Sequence, residues 1–439
     1  MEVPITIPAD GHYAITNASV PVSVLGDAAS GDMAKVDITI ADGKIAAIGA
    51  PGSATLPQQI DLRGDIVLPA FVDLHTHLDK GHIWPRKENA DGTWLGALMA
   101  VLGDREANWA ASDVERRMDF SLRCAYAHGT AAIRTHLDMA PPQHDITWDV
   151  FEAMRERWAG RIELQAAGLM GPDTILDAEK LRAVATRTKA SGGILGGSTA
   201  VHPENPTIMR KLVEMAGELG LDIDLHTDES PDPKANALEC LADAVIESGF
   251  TGSVVAGHCC SLAVQDSETA KRVIDKVARA GIAIVSLPMC NMYLQDRDNK
   301  DGVRTPRWRG VTLVNELKAA GVKVAIASDN TRDPFYAYGD LDGFEVFREG
   351  ARILHFDHPQ TEAFAWSRVV TADPAAIAGF GYTGELAVGA PADLVLFKGR
   401  TWTELMSRPQ ADRIVIRAGK AIDTTLPDYR ELDDLMGQS

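Results

Sequence analysis

The chain predicts an α/β fold class, a (β/α)8 TIM-like barrel with a small β-sandwich domain built from both chain ends. Three observations carry this. Short apolar, β-rich runs alternate with helically spaced segments from residue 70 to about 330, and such alternation implies parallel strands with right-handed crossovers. Eight repeats in roughly 260 residues is the size of a closed barrel. No strand runs into the G-x-G-x-x-G turn that would favour the alternative, an open doubly wound sheet.

The strand runs are Val72–Leu78, Thr130–Leu137, Ile162–Leu169, Gly193–Ser198, Asp222–His226, Ser253–His258, Ile282–Leu287 and Lys323–Ser328. Helical spacing fills the intervals at Asp113–His128, Thr147–Trp158, Ala178–Ser191, Thr207–Leu219, Ala235–Ser248, Glu268–Ala280 and Leu313–Ala320. The run Gly192-Gly193-Ile194-Leu195-Gly196-Gly197 is not a phosphate loop, because no Lys-Ser/Thr follows; close strand packing explains it better.

Residues 12–67 read differently, with short strands at Tyr13–Val20, Val36–Ile40, Lys44–Ile48 and Ile66–Leu68 between Gly, Asp and Asn turns. Ala41-Asp42-Gly43-Lys44 is a hairpin signal. Asp393–Phe397, Arg413–Arg417 and Lys420–Ile422 repeat the style, with Ala418-Gly419 as a turn. Neither end has enough strands to complete a sheet alone. Residues 1–68 and 385–426 are therefore assigned to one sandwich and 69–384 to the barrel. Residues 427–439 form an acidic C-terminal tail expected to fray or lie on the surface.

Composition narrows the function classes. A formal net charge of −19 excludes nucleic acid and anionic membrane as partners, since the long-range field repels phosphate. No apolar stretch approaches the ~18 residues of a membrane span. Met1–Asp10 has neither a basic nor an apolar leader region, and the five cysteines (Cys124, Cys240, Cys259, Cys260, Cys290) lack framework spacing. The expectation is a cytoplasmic protein with reduced thiols. Cys259 and Cys260 are read as small buried fillers rather than ligands, because neighbours on a strand face opposite ways. Assembly into a homo-oligomer is compatible with the sequence.

The chemistry concentrates at strand ends, where barrels place their active sites. His75 and His77, at i and i+2, share one face of an extended strand. Two imidazoles there are half a metal site, or else only a polar pair where a strand meets a loop. The fifth strand ends in His226-Thr227-Asp228-Glu229, the sixth in Gly257-His258, and the eighth in Ala327-Ser328-Asp329. Histidines and an aspartate at four strand ends are hard to ascribe to chance.

In these motifs, together with Arg134-Thr135-His136-Leu137-Asp138 and Ser328-Asp329-Asn330-Thr331-Arg332-Asp333-Pro334-Phe335-Tyr336, the chain resembles the amidohydrolase superfamily, cytosine deaminase-like branch. The resemblance covers nearly the whole chain. It implies one divalent ion, Zn²⁺ or Fe²⁺, held by His75, His77, His226 and Asp329, with an open position for water. A second metal would need a bridging lysine on the middle strands, and Ile162–Leu169 and Gly193–Ser198 have none. Asp329 would also accept the water's proton, while His258 would orient the hydroxide and polarise the reacting centre. Glu229 would hand a proton to a substrate ring nitrogen; its alternative is a solvated residue in an acidic loop with Asp228 and Asp232. The H-x-E…P-C-x-x-C signature of the unrelated nucleobase deaminases is absent.

Departures from that branch bear on the substrate. Leu169-Met170-Gly171-Pro172-Asp173 stands where cytosine deaminases carry an amide-reading glutamine, Asn330 replaces an acidic residue, and Phe335 replaces a tryptophan. A different or larger ring follows, such as a pterin. Candidate substrate contacts are His136, Trp84, Arg86, Asn330 and Phe335; His136 has a buttress for the metal as its alternative role. His128 is read as structural, and His202, His355 and His358 as loop or surface residues. The expected function is metal-dependent hydrolytic deamination of a small-molecule heterocyclic substrate (a cytosine-like pyrimidine, a pterin or a related amino-oxo ring), releasing ammonia through hydroxide generated at the ion. The alternative is cleavage of a cyclic amide or an N-substituted exocyclic amine.

Overall fold

The computed structural model describes residues 5–26, 31–140, 143–297, 304–358 and 362–437. By contact density the chain forms two compact units, Met1–Val72 with Arg123–Ala132 and Asp342–Leu426, and Asp73–Leu122 with Ile133–Leu341 and Pro427–Ser439. Among the described residues no helix is long and apolar enough to cross a membrane.

The first unit holds two four-stranded sheets. One runs Lys44–Gly49, Met33–Ala41, Tyr13–Pro21, Gln59–Asp61 in spatial order, so the N-terminal segment completes a sheet by itself, contrary to expectation. Chain ends mix in the other, where Val67–Pro69 pairs antiparallel with Leu394–Leu396, followed by Ile414–Arg417 and Lys420–Ala421. The two hairpin signals fold as read. Asp42 and Gly43 (φ 52° and 75°), and Ala418 and Gly419 (φ 46° and 75°), are left-handed pairs, as two-residue type I′ turns require. Ile15, Ile38 and Ile40 from one sheet share a core with Val67, Leu394 and Ile416 from the other, each burial contributing about 1.5–3 kcal/mol. Residues 342–384, expected with the barrel, fall in this unit. Asp342 accepts from Arg413 at 2.6 Å, and Phe344 packs on Phe397 with ring centroids 4.8 Å apart.

The barrel strands are β1 (Phe71–Thr76), β2 (Thr130–Asp138), β3 (Glu163–Leu169), β4 (Ile194–Thr199), β5 (Ile223–Thr227), β6 (Val254–His258), β7 (Ala283–Ser286) and β8 (Val324–Ile326). They neighbour one another in sequence order. A parallel bridge Thr76–Asp329 joins the last strand's end to the first. Along this seam His77 N donates to Asp329 O at 3.2 Å, Asp329 N to His75 O at 2.9 Å, and Thr76 Oγ1 to Asp329 O at 2.7 Å. The Ser328 hydroxyl donates to the Asp73 carboxylate one step deeper. A Cβ on Gly196 would lie 2.6 Å from the Gly168 carbonyl oxygen, so the glycine run allows close strand approach.

The helical segments read from sequence all form, with ends that coincide or shift by up to four residues. Several helices were not anticipated, Trp94–Asn108, Pro172–Leu176, Pro288–Leu294, Gly343–Leu354 and Ala372–Ala378 among them. The C-terminal stretch folds rather than frays: Leu432 and Met436 are buried, and Arg116 bonds Asp434 at 2.6 Å.

Arg86, a candidate substrate contact, is instead committed to this framework. Its guanidinium bonds Asp104 at 2.9 Å, Asp113 at 2.5 Å and the Leu435 carbonyl at 3.2 Å, tying the loop after β1 to two helices and the C-terminal segment. Its side chain is only 9% exposed. Removing one partner of a buried ion pair strands the others. Arg86→Ala is expected to lower unfolding stability by roughly 3 kcal/mol, measured by denaturant titration, while leaving KM of the folded enzyme unchanged.

Candidate active site

Three ring nitrogens and a carboxylate oxygen converge at the strand ends. His226 Nε2 lies 3.2 Å from His75 Nε2 and 3.0 Å from His77 Nε2. Asp329 Oδ1 is 3.3 Å from His77 Nε2 and 3.7 Å from His75 Nε2. Donors placed tetrahedrally at about 2.0–2.1 Å from one ion stand ~3.3 Å apart, and the observed spacings match. Hydrogen bonds serve this cluster poorly. His226 Nε2 faces two other ring nitrogens, and one proton can join only one pair. Neither carboxylate oxygen of Asp329 is paired in hydrogen-bonding geometry, although the weakly donating Cys290 thiol lies beside it. Burial pushes the pKa of His75, His77 and His226 well down, leaving neutral imidazoles with free lone pairs, and lifts the Asp329 carboxyl to about 6. The donor set fits a divalent cation. His258 stands at one remove, with a ring nitrogen within 4.8 Å of donors on His75, His226 and Asp329.

Backbone strain collects around these residues. Asp228, His258, Cys259 and Asp329 all have left-handed φ, between 50° and 67°, at strand ends where non-glycine residues rarely adopt it. A Cβ at Gly257 would lie 2.8 Å from His75 Cε1, so this position must be bare for the ring to pass. His136 lies behind His75, ring centroids 4.1 Å apart, with Nε2 3.6 Å from Asp224 Oδ1. Asp224 is bonded in turn by Arg134 at 2.9 Å.

Glu229 is buried, not solvated: its side chain is 9% exposed. The neighbouring Asp228 turns away to accept the Ala237 and Leu238 amides at 3.0 and 2.9 Å, at the start of helix Ala237–Ser248. Glu229 Oε2 accepts the Trp94 indole N–H at 2.7 Å. Its Oε1 is 3.5 Å from both Asn291 Nδ2 and His258 Nδ1. Burial pushes the Glu229 carboxyl up to about 7, against the indole bond and the Lys80 charge, which lower it. Asn291 Nδ2 donates to His258 Nδ1 at 2.9 Å, which fixes the neutral ring's proton on Nε2.

A cavity of about 300 Å³ opens over these groups, and Glu229, His77, His226, His258 and Asp329 line it. Asn330 and Phe335, candidate substrate contacts, line it too. Asp333 accepts Asn330 Nδ2 at 2.8 Å and the Phe335 amide at 2.8 Å, and so shapes that wall. Trp84 and Arg86 do not reach the cavity, and His136 lies behind its floor rather than on it. Several lining or supporting residues went unpredicted: Trp94, Lys80, Arg105 and Asn291. Lys80 Nζ sits 4.4 Å from the Phe335 ring centroid, and Arg105 pairs with Asp138 at 3.0 Å on the cavity wall. Trp94, edge-on to Phe335 at 6.1 Å, restores the aromatic wall that the Phe335 replacement had suggested was reduced. A charged residue soon after a ligand strand was the available signal for Lys80. Asn291 carried none.

Comparison with known proteins agrees with this geometry. The sequence model of the Amidohydrolase family matches residues 123–423. Over 434 residues the chain is 55% identical to a pterin deaminase from Rhizobium rhizogenes, covering 98% of each chain. A crystal structure of 5-methylcytosine deaminase from Klebsiella pneumoniae, liganded with 5-fluorocytosine, superposes with TM-score 0.79 at 25% identity, over 95% of this chain and 98% of that one. N-isopropylammelide isopropylaminohydrolase from Burkholderia multivorans superposes at TM-score 0.72 and 25% identity, over 94% and 99%. A family match over most of the length, joined to so similar a relative, decides descent: this chain belongs to the amidohydrolase family.

Proposed function

We propose that this amidohydrolase deaminates a pterin or a related amino-oxo heterocycle, replacing an exocyclic amino group by oxygen and releasing ammonia. The observation that carries the reading is Glu229, a buried carboxyl pushed up to about 7, facing the same cavity as the imidazole–carboxylate cluster. Attack at an aromatic C–NH₂ carbon needs a proton on the adjacent ring nitrogen, and a group still protonated near neutrality can give it. The ring assignment is supported by the 55% identical relative, a pterin deaminase, and by the apolar wall of Leu169, Met170 and Pro172.

We assign one ion, zinc or ferrous iron, to His75, His77, His226 and Asp329, a set that suits either metal. β3 and β4 contain no lysine to bridge a second ion. Bound there, the ion supplies Lewis acidity and makes water a nucleophile at neutral pH. The chain's own groups move the protons. Asp329 takes the one lost by the attacking water. His258, its Nδ1 held by Asn291, offers its Nε2 proton to the incoming oxygen. Glu229 protonates the ring nitrogen, and its carboxylate is then close enough to retrieve that proton as the C–N bond breaks. The amine leaves as ammonia with the proton from Asp329. Phe335 and Trp94 pack against the ring, and Lys80 adds a cation near the carboxylates. Cys240, Cys259, Cys260 and Cys290 carry unbridged thiols, which supports a reducing, cytoplasmic setting.

Metal-loaded protein incubated with pterin is expected to release one ammonia per ring converted; release of an alkylamine or a ring-opened product without ammonia would contradict deamination. Glu229→Gln is expected to keep its metal and lose about 10²–10⁴-fold in turnover, whereas His226→Ala loses metal and turnover together, as elemental analysis beside the assay would show. Because the donor must carry its proton and burial raises its pKa to about 7, kcat/KM should decline as pH rises through about 7. A profile still rising there would remove Glu229 from the proton donor's role.

A further inference from the structure

We propose that Trp94 is a positioning residue for Glu229, and that the capped first turn of helix Trp94–Asn108 serves to aim its indole. The inference rests on Glu229 being the proton donor. An indole N–H can only donate. At 2.7 Å it occupies a lone pair of Glu229 Oε2 and leaves the transferable proton to Oε1. Among the described residues Oε1 meets Asn291 Nδ2 and His258 Nδ1 at longer range, 3.5 Å each. Among the described residues the indole makes the shortest hydrogen bond to this carboxyl, and so holds its rotation most firmly.

The helix start is built to hold that indole still. Thr93 is the N-cap, its hydroxyl accepting the Gly96 amide at 2.9 Å. Asp91 Oδ1 accepts both the amide and the hydroxyl of Thr93, at 2.8 Å each. Asn89 Nδ2 donates to the Thr93 carbonyl at 3.0 Å and to the Pro334 carbonyl at 3.1 Å. Pro334 precedes Phe335, whose ring meets Trp94 edge-on. The cap, the loop after β8 and the aromatic wall are therefore one assembly. A Cβ at Gly96 would collide with the Asp91 carboxylate, so a side chain there would push that carboxylate off the cap. Farther along the helix Leu98, Val101, Leu102 and Arg105 line the cavity, so the element that walls the cavity also carries the indole that holds Glu229.

The test is a double-mutant cycle on the metal-loaded enzyme with pterin as substrate, comparing wild type, Trp94→Phe, Glu229→Gln and the double variant. Trp94→Phe keeps an aromatic ring and removes the donor. It is expected to lower kcat by about 10²-fold, the cost of a small misplacement, with KM and metal content little changed. Against the residual rate of Glu229→Gln it should cost nothing further. A wild-type kcat, a rise in KM alone, or a loss that multiplies in the double variant would overturn the proposal, since a tryptophan that only packs against substrate gives those results. Should Trp94→Phe fail to fold, Gly96→Ala, which disturbs the cap without touching the indole, must show the same kcat loss and the same absence of further loss. If Glu229→Gln is as active as wild type, the donor assignment itself falls. If Glu229→Gln is inactive and Trp94→Phe is not, only the positioning role falls.

Discussion

The peptide hydrogen bonds that join the end of the last barrel strand to the first hold three of the four cluster donors in one stroke. His75 gives its carbonyl and His77 its amide to the backbone of Asp329, at 2.9 and 3.2 Å. Alternation along β1 then turns both imidazoles to one side, and the Asp329 side chain meets them at 3.3 and 3.7 Å. Only His226, four strands away around the barrel, comes from elsewhere. Closure of the barrel and assembly of the cluster are thus one event. The burial that makes the histidines neutral also leaves their lone pairs and the Asp329 carboxylate poorly satisfied. Such groups cost several kcal/mol when left without partners, so a cation that binds only the folded arrangement stabilises it.

Opposed demands are met within a few ångströms. As proposed, the metal cluster wants neutral imidazoles and an ionised carboxylate, whereas Glu229 as proton donor must hold a proton near neutrality. Environment separates them. Burial raises both carboxyls, Asp329 to about 6 and Glu229 to about 7; Asp329 faces the ring nitrogens, where a cation would hold it ionised, while Glu229 is enclosed by Trp94, Asn291 and His258. The same separation of two carboxyl groups by surroundings underlies many acid–base sites. Asn291 links the halves, being bonded to His258 and reaching toward Glu229.

What could be read of the fold followed from periodicity, whereas the ligand set and the role of Glu229 came from the family resemblance. Eight β-rich runs with helical spacing between them located every barrel strand, because a strand buried on both faces writes a continuous apolar run. Strand-end positions then brought His77, His226, His258, Glu229 and Asp329 to one cavity, with His75 beside His226 in the cluster. The contacts supplied by loops and inserted elements were not legible. Helix Trp94–Asn108 was missed because it has glycines at 96 and 103 and apolar residues on several sides: Leu98, Val101 and Leu102 face the cavity while Leu95 and Met99 are exposed. No single apolar stripe betrays it. Trp84 and Arg86 were drawn toward substrate by their place after β1, yet Arg86 is taken up by Asp104 and Asp113, whose approach no local pattern reveals. The sandwich was right in kind, but its N-terminal sheet is complete in itself, because Gln59–Asp61, too short to signal a strand, adds the fourth member.

X-ray absorption at the metal edge of protein loaded with one equivalent of zinc tests the central claim most directly. The account predicts a first shell of nitrogen and oxygen at about 2.0–2.1 Å, with multiple scattering from three imidazoles. A sulfur shell at about 2.3 Å, drawn from Cys259, Cys260 or Cys290, or scattering from fewer than three rings, would contradict it.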